Sequence, residues 1–150
     1  MNYLTTIIQM PLVRETAKLF IRSPVDTYNA CLDLVDMAQE SFHVLSLNTR
    51  NGLINRHMAS MGIADSSLVH PREVFREVIN LNASACLLVH NHPSGDKTPS
   101  IEDLRITRQL VEAGKIIDIK VLDHVIIGRV QRSGDPGYLS MREAGLVTFA

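Results

Sequence analysis

The feature that most constrains the fold is a short apolar run near the middle of the chain. Residues 85–89 read ACLLV without a polar break, and Ser84 and His90 bound the run. A strand in the centre of a sheet, with both of its faces covered, has this uninterrupted pattern. The run therefore predicts a central strand with structure packed on each face of its sheet.

Helical and strand patterns alternate before and after this run. Helices are predicted over residues 26–40 with Asp26 as cap, from Pro71 onward, and over residues 101–114 with Gly114 as the stop. Strands are predicted over residues 42–47, 53–60, part of 116–127, and 138–141, with Asn51-Gly52 marking the first hairpin. The alternation predicts an α/β domain in which helices cover both faces of a sheet.

The length and composition indicate one folded domain. The chain has 150 residues, of which 45% are hydrophobic and 21% are charged, as in ordinary globular domains. The break at Ser23-Pro24 divides it into an N-terminal arm, residues 1–22, and a domain, residues 23–150. The sequence does not place the arm, which could pair with a neighbouring chain, so a homodimer stays open.

The charge balance gives no reason to expect a nucleic-acid partner. Fifteen Lys and Arg residues oppose sixteen Asp and Glu residues, and the net charge is −1. Nucleic-acid binding normally shows as a basic excess, although a local basic patch remains compatible with these totals.

The remaining composition predicts a cytoplasmic protein. Cys31 and Cys86 lie far apart in apolar surroundings, which favours two buried reduced thiols over a disulfide. The N-terminus lacks the pattern of a secretory signal, and no segment reaches the roughly 20 apolar residues of a membrane span. No membrane association is therefore predicted.

The loop after the central strand carries the chemically informative residues. Side chains two positions apart in extended backbone point the same way, so His90 and His92 can present two imidazoles to one point. The following turn and helix can return the carboxylate of Asp103 to that point. Two histidines and one carboxylate, with a fourth position left for water, form the ligand set of a catalytic zinc site.

Each of these residues also has a structural explanation. A histidine at a strand end is often a hydrogen-bonded core residue or a surface ring. Ser100 and Asp103 fit a capping box, in which the serine bonds the helix start and the aspartate reaches back. The spacing alone leaves the metal site and the cap both open.

The complete pattern resembles the metal-binding signature of the JAB/MPN (JAMM) metalloprotease superfamily. It consists of His90-x-His92, seven residues, Ser100, two residues and Asp103, preceded by a glutamate at the predicted end of an earlier helix. The segments LVHPREVF at 68–75, HNHPSGD at 90–96, LDH at 122–124 and YLSMREAGL at 138–146 resemble the bacterial RadC branch. The likeness covers roughly residues 23–147.

The resemblance implies a fold, a cofactor and a set of roles. The fold would be a three-layer α/β/α sandwich with a mixed sheet, like that of cytidine deaminases. His90, His92 and Asp103 would bind one zinc ion per chain, and Glu40 would match the glutamate that activates the attacking water. Ser100 would match the serine that helps stabilise the oxyanion. The implied activity is hydrolysis of an amide or isopeptide bond in an unidentified peptide or protein.

Two features limit what the resemblance implies. RadC proteins commonly carry an upstream helix-hairpin-helix region that binds DNA, and 22 residues are too few to hold one. The traditional DNA-repair label therefore transfers weakly, and short relatives are often associated with mobile elements. Without the resemblance, Glu40 would be read as a solvated glutamate at a helix end.

Other functions remain as alternatives. The string His90-Asn91-His92 spells the HNH nuclease motif, which would make the chain a metal-dependent nuclease or a DNA-associated protein of a mobile element. In that motif, however, the three residues are spread along a ββα unit. A zinc deaminase needs H-x-E and P-C-x-x-C, which the chain lacks. A non-catalytic scaffold ranks last. His124 is either a core histidine bonded to Asp123 or a support for the metal ligands.

Overall fold

The computed structural model describes residues 19–62 and 69–150. Its helices are α1 (Pro24–Ala30), a 3₁₀ turn (Leu32–Leu34), α2 (Pro71–Asn80) and α3 (Ile101–Ile116). Its strands are β1 (Ser41–Leu47), β2 (Leu53–Met61), β3 (Ala85–Asn91), β4 (Lys120–Ile127) and β5 (Tyr138–Ser140).

The strands form one mixed sheet in the order β2-β1-β3-β4-β5. Only β3 and β4 are parallel, while the other neighbours pair antiparallel. The predicted central strand is confirmed, because β3 lies between β1 and β4 and is buried along its whole length.

Two hydrophobic clusters cover the two faces of this sheet. Alternate residues of β3 point to opposite sides, so Cys86 and Leu88 join one cluster while Leu87 and Val89 join the other. The first cluster packs under α2 and α3, and the second packs under α1 and the 3₁₀ turn. The three-layer α/β/α architecture predicted from the sequence is therefore confirmed.

The first helix is shorter than predicted. Its cap is Ser23 rather than Asp26, since the Ser23 Oγ accepts the amide of Asp26 and Pro24 occupies the first position. The helix ends at Ala30, whose carbonyl accepts a hydrogen bond from the Arg56 guanidinium of β2 at 3.3 Å. Arg56 also binds Asp33, so a tertiary contact fixes the helix end where the apolar stripe alone predicted continuation.

The end of α3 also differs from the prediction. The helix continues past Gly114 to Ile116, and a single strand follows from Lys120. Gly114 has a packing role instead, because a Cβ atom there would lie 2.4 Å from the Ile119 carbonyl oxygen. The absence of a side chain lets the helix lie close to the segment that leads into β4.

The described end of the predicted arm lies against the sheet edge. Phe20 bridges Gly52, and Ile21 is buried among the apolar residues under α1. Residues 1–18 lie outside the described part, so the arm and its pairing with another chain stay predictions. Among the described helices, none has the length and apolar character needed to cross a bilayer.

Gly114→Ala should destabilise the domain. Alanine favours a helix over glycine by about 1 kcal/mol, but the added methyl clashes with the Ile119 carbonyl. We expect a net loss of about 1–3 kcal/mol in the free energy of unfolding, measured by urea denaturation. The exposed Gln109→Ala in the same helix is the control, and a stabilised Gly114→Ala would contradict the close packing.

Candidate metal centre

The two histidines lie side by side at the end of the central strand. His90 is the penultimate residue of β3, where it pairs with Phe42 of β1 and Ile126 of β4. His92 follows the strand, and its amide bonds the Ile127 carbonyl at 2.9 Å. Their Nε2 atoms are 2.8 Å apart. The predicted presentation of two imidazoles to one point is confirmed.

Asp103 approaches the same point from the first turn of α3. Its Oδ2 lies 3.5 Å from His90 Nε2 and 3.3 Å from His92 Nε2. The intervening loop turns at Gly95, whose φ of +88° is in the region that favours glycine. The structure therefore brings together the two histidines and the carboxylate that the sequence predicted as ligands.

The alternative explanation for Asp103 is also correct. Ser100 Oγ accepts the Asp103 amide at 3.0 Å, and Asp103 Oδ2 accepts the Ser100 amide at 2.8 Å, which completes a capping box. The cap and the cluster use one carboxylate together. The cap fixes the rotamer of Asp103 so that its oxygen faces the imidazoles.

Glu40 is the fourth member of the cluster. Its Oε1 lies 3.6 Å from His90 Nε2 and 3.7 Å from His92 Nε2. Contrary to the prediction, Glu40 is not at a helix end, because α1 stops earlier and Glu40 directly precedes β1. One ligand atom from each of Glu40, His90, His92 and Asp103 lies within 4.8 Å of the others.

The two carboxylates have different electrostatic environments. Burial opposes ionisation of Asp103, but hydrogen bonds from His90 and His92 outweigh burial and hold the pKa of Asp103 well below its ordinary value. Burial raises the pKa of Glu40, and the nearby histidines offset this only in part. For His92, burial lowers the pKa, but the hydrogen bonds to Asp103 and to the Asp96 carbonyl outweigh it and raise the pKa.

The donor set fits a divalent metal ion. His92 Nδ1 donates to the Asp96 carbonyl at 2.7 Å, which leaves the Nε2 lone pair of a neutral ring facing the cluster. Ligand atoms of a tetrahedral ion lie about 3.3–3.5 Å apart, and the nitrogen-to-carboxylate distances here are 3.3–3.7 Å. The two Nε2 atoms, at 2.8 Å, would move apart by about half an ångström to bind the same ion. A His-His-Asp-Glu cluster of this kind could bind a metal ion.

Asn91 is a functional residue that the sequence reasoning missed. It is 1% exposed, and its Oδ1 accepts the Ser41 amide at 2.8 Å while its Nδ2 donates to the Gln39 carbonyl at 2.9 Å. The side chain therefore holds the peptide groups on both sides of Glu40. Strand alternation could have predicted this, because the residue between two inward histidines points to the other side.

His124 contacts a predicted ligand directly. Its Nε2 lies 2.7 Å from His90 Nδ1, and its Nδ1 lies 2.6 Å from Thr107 Oγ1. The Asp123 carboxylate accepts the backbone amide of His124 rather than a ring nitrogen. The ring is fully buried, and burial holds the pKa of His124 well below its ordinary value. Of the two readings of His124, the structure favours the support for the ligands.

An open cavity lies beside the cluster. It has a volume of about 680 Å³ and is lined by the segments 96–98 and 131–136, together with Leu139. A hydrogen bond from the Arg129 amide to the Gly95 carbonyl holds these two loops together. A bonded pair of Lys97 and Asp135 also joins them. Asp96, which lines the cavity, is the residue whose carbonyl orients His92.

The fold and the cluster together define a class of protein. It is an α/β/α domain that gathers two histidines and two carboxylates, a set that could hold a metal ion, at the end of its central strand. The family profile described as RadC-like JAB domain matches residues 21–146. This chain belongs to that family, as the sequence resemblance predicted.

Curated bacterial proteins match most of this chain. A UPF0758 protein of Desulforamulus reducens is 46% identical over 131 residues, which cover 87% of this chain and 55% of that protein. A UPF0758 protein of Symbiobacterium thermophilum is 50% identical over 115 residues, or 77% of this chain and 47% of that protein. One from Listeria monocytogenes is 42% identical over 138 residues. The chain thus spans about half the length of the relatives it matches.

Asn91→Ala should loosen the segment that carries Glu40. The change leaves the buried Ser41 amide and Gln39 carbonyl without their partner, which costs about 1–3 kcal/mol. We expect a lower free energy of unfolding and faster amide hydrogen exchange at Ser41.

The matched control is Ser46→Ala in β1, the strand that contains Ser41. The Ser46 hydroxyl is buried and has no hydrogen-bond partner among the described residues, so its removal should not lower the free energy of unfolding. Wild-type exchange at Ser41 in Asn91→Ala would show that Asn91 does not hold this segment.

Proposed function

We propose that this chain is a zinc-dependent hydrolase of the JAMM type, with His90, His92 and Asp103 as the metal ligands and one zinc ion per chain. The observation that carries this proposal is the convergence of four ligand atoms, from three separate segments, to within 4.8 Å of one another. Imidazole nitrogens and carboxylate oxygens are suitable ligands for zinc, and three protein ligands leave a position open for chemistry.

The difference between the two carboxylates supports their assignment to different roles. Asp103 is held by the Ser100 amide and stays ionised, as a permanent ligand must. Glu40 is half-buried and has a raised pKa, which suits a group that takes up and releases a proton. Paired groups whose environments separate their pKa values are typical of acid–base assignments in active sites.

The proposed reaction is hydrolysis of an amide or isopeptide bond. When bound, zinc supplies Lewis acidity that lowers the pKa of a coordinated water and polarises the scissile carbonyl. Glu40 accepts the proton of the attacking water as the new C–O bond forms. It then donates that proton to the amine nitrogen as the C–N bond breaks.

Ser100 is proposed to stabilise the developing oxyanion. Its Oγ accepts the Asp103 amide, so the hydroxyl proton itself remains able to donate. Hydrogen-bond donors aimed at such an oxygen are a large contribution to catalysis of acyl transfer. The cap therefore places one hydroxyl next to the ligand Asp103, and the two roles of Ser100 are compatible.

The proposed substrate is a peptide or a protein. The cavity next to the loop after His92 carries both acidic and basic residues, including Asp96 and Arg132. Charged groups of both signs suit the polar backbone and side chains of a peptide.

The nuclease alternative draws no support from the HNH string. The Asn91 side chain is bonded to backbone groups around Glu40, so it faces away from the point shared by His90 and His92. A nuclease assay with zinc, manganese and magnesium separates the two hypotheses, and cleavage of DNA that depends on His92 would favour the nuclease.

The zinc-binding part of the proposal is tested by metal analysis. Wild-type protein loaded with zinc and desalted should retain about one zinc per chain, because three ligands converge. His92→Ala and Asp103→Asn should lose it while the fold, measured by circular dichroism, survives. Asn at position 103 can still accept the Ser100 amide, so the cap is kept.

Asp118→Asn in the turn after α3 is the control. Wild-type protein that holds no stoichiometric zinc would contradict the proposal.

The catalytic part is tested with Glu40→Gln. This variant keeps the shape of the side chain and the three ligands, so it should bind zinc as the wild type does. We expect it to cleave a mixed peptide library at least about 100-fold more slowly, as mass spectrometry of the products can show. Equal cleavage by Glu40→Gln and wild type would contradict the assignment of Glu40 as the base.

A further inference from the structure

A buried chain of hydrogen bonds leads from one proposed ligand to the backbone of another. His90 Nδ1 lies 2.7 Å from His124 Nε2, and His124 Nδ1 lies 2.6 Å from Thr107 Oγ1. Thr107 Oγ1 lies 2.6 Å from the carbonyl oxygen of Asp103, one turn earlier in α3. His124 and Thr107 are 0% exposed. This path of hydrogen bonds therefore connects β3 to α3 through β4 and is buried along its length.

The donor and the acceptor of every hydrogen bond along this path follow from its last member, the carbonyl oxygen of Asp103. A carbonyl oxygen can only accept, so the single hydroxyl proton of Thr107 is donated to Asp103. The Thr107 oxygen then accepts from His124, which requires the proton on Nδ1 of that ring.

The same reasoning assigns the ring protons of the two imidazoles, His124 and His90. Among the described residues no carboxylate forms an ion pair with His124, and a fully buried unpaired charge is costly, so the ring is neutral. Its Nε2 is consequently an acceptor, and His90 must donate from Nδ1. With its Nδ1 proton engaged in this bond, His90 presents Nε2 as the metal-binding atom, and Nε2 is the atom that faces His92 and Asp103.

We infer that His124 and Thr107 are positioning residues that hold His90 in the tautomer and orientation needed to bind the metal. This inference rests on the proposed function, because it assigns a role toward the same zinc ion. The Thr107 hydroxyl supplies what a neighbouring carboxylate or carbonyl supplies behind many metal-bound histidines: a fixed acceptor for the outer ring nitrogen, here reached through a second imidazole.

The hydrogen bonds also couple the positions of two proposed ligands, His90 and Asp103. The hydroxyl that orients His124 is bonded to the peptide carbonyl of Asp103, so a shift of α3 changes the support of His90 as well. Phe42 closes one side of the path, with its ring 6.0 Å from that of His90 and 5.3 Å from that of His124. The path is therefore enclosed by apolar contacts, which strengthens its hydrogen bonds.

The test compares Thr107→Val with Thr107→Ser. Valine keeps the branched shape and removes the hydroxyl, whereas serine keeps the hydroxyl and removes a methyl group. We expect the zinc dissociation constant, measured by competition with a chelator, to rise about 10–100-fold in Thr107→Val. Thr107→Ser should keep most of the zinc affinity of the wild type, because it keeps the hydroxyl. The control is Ile106→Val. Ile106 is buried beside Thr107 but takes no part in the hydrogen-bond path, so the change should lower stability without changing zinc affinity.

A spectroscopic measurement separates this role from simple packing. In zinc-free wild-type protein, ¹⁵N chemical shifts should show the proton of the His124 ring on Nδ1. In Thr107→Val, His124 loses its fixed acceptor, so we expect the two tautomers of its ring to mix. The Thr107→Ser spectrum should match the wild type.

The outcomes separate this inference from the proposed function. If Thr107→Val binds zinc as tightly as wild type and keeps its ring shifts, the inference is overturned. Equal loss of affinity in the valine and serine variants would show a packing role only, and would also overturn it. If wild-type protein binds no zinc, the proposed function fails, while the ring spectra still test the hydrogen-bond chain.

Discussion

The pairing of β3 between β1 and β4 is the constraint on which the candidate site depends. It buries His90 opposite Phe42 and brings the backbone just before β1, with Glu40, to the end of the central strand. Because His92 lies two residues after His90, the same strand supplies both imidazoles. The loop of residues 93–100 then reverses the chain so that α3 begins beside them. The cluster is thus assembled from three segments, two of which are placed by the hydrogen bonds of the sheet and the third by the loop that leads into α3.

The cluster and the side chains around it contain polar groups that would be costly to bury without hydrogen-bond partners. Asp103 is ionised because two imidazoles and the Ser100 amide face it, whereas Glu40 is less well compensated and more easily protonated. Behind these side chains, Asn91 holds the backbone around Glu40, and His124 with Thr107 bonds the outer nitrogen of His90. Such complete pairing limits the cost of burial and restricts each group to one orientation. A rigid arrangement of this kind keeps the carboxylates and the imidazole nitrogens close together, although their negative charges and lone pairs repel one another.

Much of this arrangement could be predicted from the sequence, because it follows local rules. The apolar run at 85–89 predicted the central strand, and the spacing of His90 and His92 predicted their common direction. What failed depended on packing contacts that the pattern of a single segment does not contain. The end of α1 is fixed by Arg56, 26 positions beyond Ala30. Gly114 allows a close contact with the Ile119 carbonyl and does not end the helix. The relation of Thr107 to His124 was likewise hidden, since Thr107 alone does not differ from an ordinary core residue. The cap and the metal cluster seemed to be alternatives for Asp103, and only the three-dimensional structure shows that one carboxylate completes the cap and also lies within the cluster.

The central claim is that His90, His92 and Asp103 bind one metal ion together. An anomalous-scattering difference map from crystals grown with zinc tests it most directly, with data collected above and below the zinc absorption edge. The account predicts a single strong peak that all three side chains contact and that disappears below the edge. A map without density among these three residues, or with its zinc peak elsewhere on the chain, would contradict the account.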